Sequence, residues 1–209
     1  MGVAERKERE FKRREQEILE AALDLFGRDD WQSVTIEQIA QAAEIGKGTV
    51  YKHFESKDQI YARLALGYHR RNAAELQSID PRLDPLQRVR LIVRTYFRNA
   101  ALASKEMRRV LQYTQRDDFL RTLPLETRRE WLALNDEMFE TIDRTMGDGR
   151  KAGYFPADPR LLFGAQAAIN GAIQMVWGGC TEGTDPEPLL ESLTRFVLAG
   201  LRYQDRAES

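Results

Sequence analysis

A short run of polar and basic residues carries the side chains of this sequence that are best suited to binding chemistry. Between Lys47 and His53 the order is Lys-Gly-Thr-Val-Tyr-Lys-His. If the run is a helix whose Val50 faces inward together with Phe54, the side chains that face outward are those of Lys47, Thr49, Tyr51, Lys52 and His53. They offer positive charge and hydrogen-bond donors, which suit a groove lined with phosphates. The run therefore indicates a surface that contacts nucleic acid.

The sequence offers little for catalysis. It contains two histidines, His53 and His69, and one cysteine, Cys180, and the first histidine lies inside the polar run. We find no zinc-ligand spacing, no phosphate-binding loop and no serine elbow, and the many carboxylates fit solvated helix faces. We therefore expect no enzyme, no metal and no cofactor. Cys180 is interpreted as a plain small residue, with a reactive sensor thiol as the alternative.

Helical periodicity covers the chain, and we find no alternating β pattern of useful length. The sequence predicts an all-α fold of about nine helices. An N-terminal three-helix DNA-binding domain is expected over residues 1–58, and a larger helical domain for ligand binding and dimerisation over 59–209. The predicted helices cover about residues 7–26, 35–43, 47–53, 56–79, 84–104, 106–114, 126–151, 158–178 and 187–203.

Two short helices joined by a tight connection form the centre of the N-terminal domain. Thr35 to Gln38 and Ser56 to Gln59 match the capping-box pattern at the start of a helix. Helices this short are unstable alone in water, so they must pack against the preceding and following helices. The arrangement predicts a helix-turn-helix whose second helix, residues 47–53, enters the major groove.

Three stretches of this region resemble the TetR family of transcriptional regulators: Phe26-Gly27, Ser33 to Ala40 and Ala43 to Asp58. The resemblance covers about residues 13–63, roughly a quarter of the chain. It implies a one-component regulator, most often a repressor, that binds a palindromic double-stranded DNA operator as a homodimer. Residues Leu161 to Trp177 also resemble the fatty-acid-responsive members.

The resemblance implies roles for single residues. Thr35 caps the first motif helix near a phosphate, and Lys47 contacts a base, since lysine donates to guanine acceptors. The implied contacts of Thr49, Tyr51 and His53 are with the DNA backbone, with Tyr51 also near a thymine methyl group. Lys52 serves either purpose, and Lys57 clamps a phosphate at the start of the next helix. The alternatives are packing for Tyr51, a cap or solvated position for His53, and ordinary surface positions for Lys52 and Lys57.

Basic residues at positions 6, 7, 9, 12, 13 and 14 alternate with glutamates near the N-terminus. One interpretation is an arm that reaches phosphates or the minor groove. The other is a solvated helix face with i,i+4 ion pairs such as Glu8–Lys12 and Glu10–Arg14.

The last two predicted helices are apolar over most of their circumference. This apolar surface is larger than the single face that a helix needs to pack on one core. We expect them to pack across a two-fold axis as a four-helix dimer interface. A fully buried pair in a monomer is the alternative. The interface residues that we predict are Leu161, Ala168, Ala172, Leu193, Phe196 and Val197.

A polar stripe interrupts the first of these helices, because Gln166, Asn170 and Gln174 are spaced four residues apart. The amides either link the dimer or bind the polar group of a ligand. A hydrophobic effector, an acyl chain or a lipophilic drug, would suit an apolar pocket lined by aromatic and methionine side chains, although such residues also build ordinary cores. The predicted ligand-binding residues are Tyr96, Met107, Tyr113, Trp131, Met138, Gln166, Asn170, Gln174 and Trp177.

The overall composition is compatible with a DNA-binding protein but does not by itself indicate one. The formal net charge is −1, and no stretch approaches the ~18 uninterrupted apolar residues of a membrane span. The N-terminus has no apolar signal-peptide core, so we expect a cytoplasmic protein with no membrane partner. A DNA-binding adaptor whose helical half binds a protein instead of a ligand is the alternative function, and the absence of a cavity in that half would favour it.

Overall fold

The helical periodicity of the sequence is matched in a computed structural model, which describes residues 2–28, 30–156, 158, 160–179 and 185–202. This part of the chain contains no β-strand and ten α-helices, and a short 3-10 turn lies at Trp31–Ser33. The helices are α1 Val3–Phe26, α2 Ile36–Ala42, α3 Lys47–His53, α4 Lys57–Gln77, α5 Pro85–Ala101, α6 Lys105–Thr114, α7 Phe119–Thr122, α8 Leu125–Lys151, α9 Arg160–Trp177 and α10 Glu187–Leu201.

The predicted all-α class is confirmed. Helix α3 has the predicted bounds, and the other eight predicted helices are present with one or both ends shifted. The largest shift is at α1, which begins at Val3 instead of residue 7. The prediction missed α7, a single turn that buries Phe119. Helix α7 could not be predicted, because four residues are too few to show a helical period. Cys180 lies outside the described residues.

The chain forms two compact units, of which the first comprises residues 1–69 and 104–133. This unit contains the predicted segment 1–58 together with the first part of α4, with α6 and α7, and with the start of α8. Its helix-turn-helix is supported from one side by α1, which packs on α2. Val50 and Phe54 are buried, as the sequence predicted.

A continuous series of aromatic rings passes through the first unit. Phe26 stacks on Tyr61 with ring centroids 4.0 Å apart, and Tyr61 stacks on Tyr113 at 3.8 Å. The series continues edge to face from Tyr113 to Phe119 and on to Trp131. Stacked and edge-to-face pairs are the favourable geometries for aromatic rings, so the series ties α1, α4, α6, α7 and α8 together.

The second compact unit comprises residues 70–103 and 134–209. Its core is built by α5, α9 and α10, which pack on one another. Arg88 of α5 is buried and forms a 2.9 Å ion pair with Asp148 of α8. Gly149 lies directly against the ring of Phe155, and a Cβ atom at this position would collide with that ring. Only glycine therefore allows this close approach on α8.

None of the described helices is long and apolar enough to cross a membrane.

Candidate nucleic-acid interface

The turn between α2 and α3 fixes the geometry of the helix-turn-helix. The N–H of Ile45 donates to the carbonyl of Ala40 at 2.9 Å, and the N–H of Glu44 donates to the carbonyl of Gln41 at 3.1 Å. This pair of bonds is a Schellman motif, which requires a left-handed residue after the helix. Glu44 has that conformation, with φ of 54°. The chain then reverses into α3 within three residues.

The start of α2 carries the predicted cap. The hydroxyl of Thr35 accepts a hydrogen bond from the N–H of Gln38 at 3.3 Å, and the side chain of Gln38 accepts one from the N–H of Thr35 at 2.8 Å. Both halves of the capping box are thus formed, as the sequence predicted. Thr35 is exposed, which leaves it accessible at the first turn of α2.

The outer face of α3 brings together most of the predicted DNA-binding residues. Lys47, Tyr51 and Lys52 are exposed, and Thr49 is half-buried. The helix has only seven residues and is held by its buried Val50. It therefore presents a compact polar surface of about two turns.

Lys47 is already engaged within the chain. Its ammonium group forms an ion pair with Glu37 of α2 and lies 5.7 Å from the centroid of the Tyr51 ring. The ion pair lowers the pKa of Glu37 and raises the pKa of Lys47, so both groups are charged near neutral pH. The sequence analysis did not anticipate Glu37, because the two residues are ten positions apart and meet only through the turn.

His53 packs against α1 and is half-buried. Its ring lies 4.0 Å from the ring of Phe11, and its Nδ1 atom is buried without a hydrogen-bond partner. Burial lowers the pKa of His53, so the ring is neutral at neutral pH. The ring of His53, the last residue of α3, thus packs toward α1. Its predicted contact with DNA stays a prediction.

Lys57 anchors the segment that precedes α2. Its ammonium group donates to the carbonyls of Gln32 at 3.0 Å and Val34 at 2.9 Å. It is therefore more than an ordinary surface lysine. A lysine has three N–H donors, so one donor remains beyond these two bonds. That donor is available for a phosphate at the start of α4.

The basic N-terminal run is part of α1, and three of its six basic residues are paired along the helix. Lys12 forms an ion pair with Glu8 at 2.8 Å, and Arg14 lies 3.9 Å from Glu10. These are the two i,i+4 pairs that the sequence predicted for a solvated helix face. Three basic residues make no ion pair with any described residue: Arg6, Lys7 and Arg9.

A small cavity of about 40 Å³ lies in the second unit and is almost entirely apolar. Of the predicted ligand-binding residues, Tyr96 and Gln166 line it. The sequence analysis missed the other lining residues, whose helical spacing is that of any core face. They are Val89, Ile92, Val93, Ile142, Thr145, Met146, Leu162, Ala165, Ile169, Val197 and Leu201.

The remaining predicted ligand-binding residues are dispersed. Tyr113 and Trp131 belong to the aromatic series of the first unit, and Met107 lies half-buried on α6 of the same unit. In the second unit, Met138 is buried on α8, and the indole N–H of Trp177 donates to the carbonyl of Ala100 at 3.0 Å. These five residues do not line the cavity.

The polar stripe of α9 divides between the cavity and the surface. Gln166 lines the cavity and donates to the side chain of Asn170 at 3.0 Å. Asn170 and Gln174 are exposed. The stripe therefore spirals away from the cavity, because residues spaced four apart advance by slightly more than one turn of 3.6 residues.

Comparison with known proteins supports the interpretation of the N-terminal segment. Residues 18–64 match the family model of bacterial regulatory proteins of the tetR family. This segment is therefore similar to the DNA-binding segment of TetR-family regulators. A curated relative, the HTH-type transcriptional repressor AcnR of Corynebacterium diphtheriae, is 26% identical over 181 residues, which cover 84% of this chain and 88% of AcnR.

The fold is similar to that of solved TetR-family proteins. A bacterial regulatory protein in the tetR family from Rhodococcus RHA1 superposes with a TM-score of 0.71 at 22% identity, over 92% of this chain and 98% of the other. The fatty acid degradation regulator FadR from Bacillus halodurans gives 0.69 at 21% identity, over 91% and 97%. The TetR-family relatives are transcriptional regulators and not enzymes, which agrees with the sequence prediction.

The predicted dimer residues differ in how far they are exposed. Ala172, Leu193 and Val197 are buried in the core of the second unit, so their own chain already covers them. Leu161 and Ala168 are half-buried and pack against the same core. The sixth predicted residue, Phe196, has 66% of its surface exposed.

The outer faces of α9 and α10 carry large apolar side chains that the sequence analysis did not single out. Phe163 is 76% exposed and Met175 is 51% exposed, both on α9. Exposed small residues lie on the same two helices: Ala167, Gly171, Ala199 and Gly200. Single exposed apolar residues are common on protein surfaces, but a group of them on two neighbouring helices indicates an interaction surface.

Proposed function

We propose that the protein is a one-component transcriptional repressor that binds a palindromic operator as a homodimer and leaves it when a small hydrophobic effector binds. The observation that carries the proposal is the exposed face of α3, where Lys47, Tyr51 and Lys52 are displayed on a short helix fixed by the turn at Glu44. A second helix presented in this way has the geometry that enters the major groove.

The contacts with DNA follow from the position of each residue. Lys47 is the first residue of α3, and the N-terminal residues of a recognition helix contact base edges. The exposed Lys52 and the remaining donor of Lys57 bind phosphates, and Thr35 binds a phosphate beside the N-terminus of α2. Arg6, Lys7 and Arg9 lie on the first turns of α1, where they extend the positive charge available to the DNA backbone.

The homodimer is supported by the exposed apolar faces of α9 and α10. Phe163, Met175 and Phe196 supply the large side chains, and the small residues around them allow close approach of a second copy. A four-helix interface between two copies would bury this surface. Two-fold symmetry would also match a palindromic operator, whose half-sites lie about 34 Å apart.

The effector is proposed to enter the cavity of the second unit. The lining is apolar, with Thr145, Tyr96 and Gln166 as the residues that carry polar groups. A cavity of about 40 Å³ is much smaller than the roughly 300 Å³ or more that a drug-sized ligand occupies. Binding would therefore force α5, α8, α9 and α10 apart, and an effector that prefers the expanded state shifts the population away from the DNA-binding state.

Selection from random duplex DNA with the purified protein tests the proposal. We expect a palindromic sequence whose affinity falls steeply as salt rises, because phosphate contacts release counterions. A medium-chain fatty acid, its coenzyme A ester and octanol are then added separately to the complex of the protein with that sequence. The amount of DNA that each compound releases is compared. Failure of the ligand-free protein, refolded from denaturant to remove bound small molecules, to enrich any sequence would contradict the proposal.

A further inference from the structure

The ion pair between Glu37 and Lys47 joins the two helices of the motif at their exposed ends. Glu37 is in the first turn of α2, and Lys47 is the first residue of α3. The two side chains are 58% and 49% exposed. Exposed ion pairs contribute little to stability. The helices are already held by the turn at Glu44 and by the buried Ile39 and Val50, so the fold does not depend on this pair.

The pair places a negative group where DNA is proposed to bind. When the N-terminus of α3 enters the major groove, the carboxylate of Glu37 enters beside Lys47. A carboxylate accepts hydrogen bonds and cannot donate them. Among base edges in the major groove it fits the amino group of cytosine best, whereas a lysine fits the acceptors of guanine. It also repels every phosphate, whatever the sequence.

We propose that Glu37 determines the sequence specificity of this interface. In the free protein it holds Lys47 in one position over Tyr51. In the complex it accepts a hydrogen bond from the amino group of a cytosine next to the guanine that Lys47 contacts. Both contacts fit at once, because the Glu37 carboxylate and the Lys47 ammonium group lie within hydrogen-bonding distance of each other and neighbouring bases stack about 3.4 Å apart. On DNA without that cytosine, the carboxylate stays unpaired and weakens binding. The inference rests on the proposed operator binding.

The test compares the wild-type protein with Glu37→Gln on the selected operator and on a scrambled duplex of equal length. We expect Glu37→Gln to bind the scrambled duplex more tightly, with a salt slope steeper by about one per protomer, because Lys47 becomes free for a phosphate. The ratio of operator to scrambled affinity should fall at least fivefold, near the lower limit of what one mismatched base pair costs. Repeated selection should relax the preference for the cytosine and keep the guanine, because a glutamine amide can donate to other bases as well as accept from cytosine.

Glu55→Gln is the matched control, since Glu55 is exposed, lies two residues after the end of α3 and forms no ion pair with any described residue. It removes the same charge and should leave the affinity ratio unchanged. Equal ratios for wild type, Glu37→Gln and Glu55→Gln would overturn the inference while operator binding stands. A wild-type protein without sequence preference would overturn the proposed function itself. Thermal melting of all three proteins should agree within about 2 °C, because exposed pairs add little stability.

Discussion

Lys57 donates to the carbonyls of Gln32 and Val34, and we propose that its remaining donor binds a phosphate. Lys57→Ala should therefore weaken operator binding and also lower the free energy of unfolding, by about 1–2 kcal/mol for the lost charged hydrogen bonds. Lys52→Ala is the control, because Lys52 is exposed and should affect operator binding alone. Urea unfolding and a salt titration of binding separate the two effects. Unchanged stability of Lys57→Ala would contradict the anchoring role.

His69 introduces a pH dependence at the other end of the aromatic series. Its ring lies edge to face on Trp131 at 5.6 Å and on Tyr68 at 5.5 Å, and its Nδ1 atom is buried without a partner. Burial lowers the pKa of His69 to about 4, from 6.5 for a free histidine. Between these two pH values the unfolded chain binds a proton that the folded chain cannot bind. Stability is therefore complete above pH 6.5 and falls as the pH drops toward 4.

Replacing His69 by phenylalanine should remove this part of the acid sensitivity. A shift of this size corresponds to about 3 kcal/mol at most, since one pKa unit equals 1.36 kcal/mol. Unfolding in urea at pH 7.5 and at pH 4.5 measures the loss in each protein, and carboxylates contribute equally to both. We expect the wild-type protein to lose about 2–3 kcal/mol more than His69→Phe. Equal losses would show that the ring is not held neutral by burial.

At the scale of elements, the turn of the helix-turn-helix contains a strained residue. Glu44 is the only residue other than glycine with a positive φ in the described part of the chain. A left-handed conformation costs an ordinary residue roughly 1–2 kcal/mol, and glycine avoids that cost. Because glycine also makes the unfolded chain more flexible, Glu44→Gly should raise the free energy of unfolding by only about 0.5–1 kcal/mol.

Glu55→Gly provides the comparison for this prediction, because Glu55 is equally exposed and has no positive φ. In Glu55→Gly no unfavourable backbone conformation is relieved, so nothing offsets the added flexibility of the unfolded chain. The free energy of unfolding should therefore fall by up to about 1 kcal/mol. Thermal melting of both variants is sufficient, with Glu44→Gly melting a few degrees higher than the wild type. A lower melting temperature for Glu44→Gly would mean that its side chain supports the turn.

Elements governed by neighbouring residues could be predicted from the sequence. The capping box at Thr35, the end of α1 at Gly27 and the inward positions of Val50 and Phe54 depend on contacts a few residues apart, or on one helical period. The exposed face of α3 follows directly from them. For this reason the polar surface proposed to bind DNA could be identified before its structure was known.

Elements shaped by distant residues could not be predicted in this way. The predicted capping box at Ser56 is only half formed, since the hydroxyl of Ser56 accepts from the N–H of Gln59. The Gln59 side chain instead accepts from the N–H of Glu55 and donates to Thr127 of α8. The contact of His53 with Phe11 and the ion pair of Glu37 with Lys47 likewise arise only in the folded chain. Helical spacing gives no information about such partners.

At the scale of the whole molecule, affinity for DNA cannot come from bulk charge. The formal net charge is −1, so the chain as a whole does not attract a polyanion. If the protein binds DNA as the proposed homodimer, binding depends on placing two small polar surfaces at once, and the dimer is then a condition of function. The proposed interface on α9 and α10 would therefore control operator affinity without touching DNA.

Introducing a charge into that interface tests the connection. Phe196 is 66% exposed on the outer face of α10, and Phe196→Glu would bring two carboxylates into an apolar surface around the two-fold axis. We expect sedimentation to show a monomer and operator affinity to fall at least tenfold, because a monomer loses the second half-site. Leu102→Glu is the matched control, since Leu102 is 75% exposed just after α5. It should remain dimeric and bind normally. If Phe196→Glu sedimented as a dimer, the two copies would have to meet through another surface.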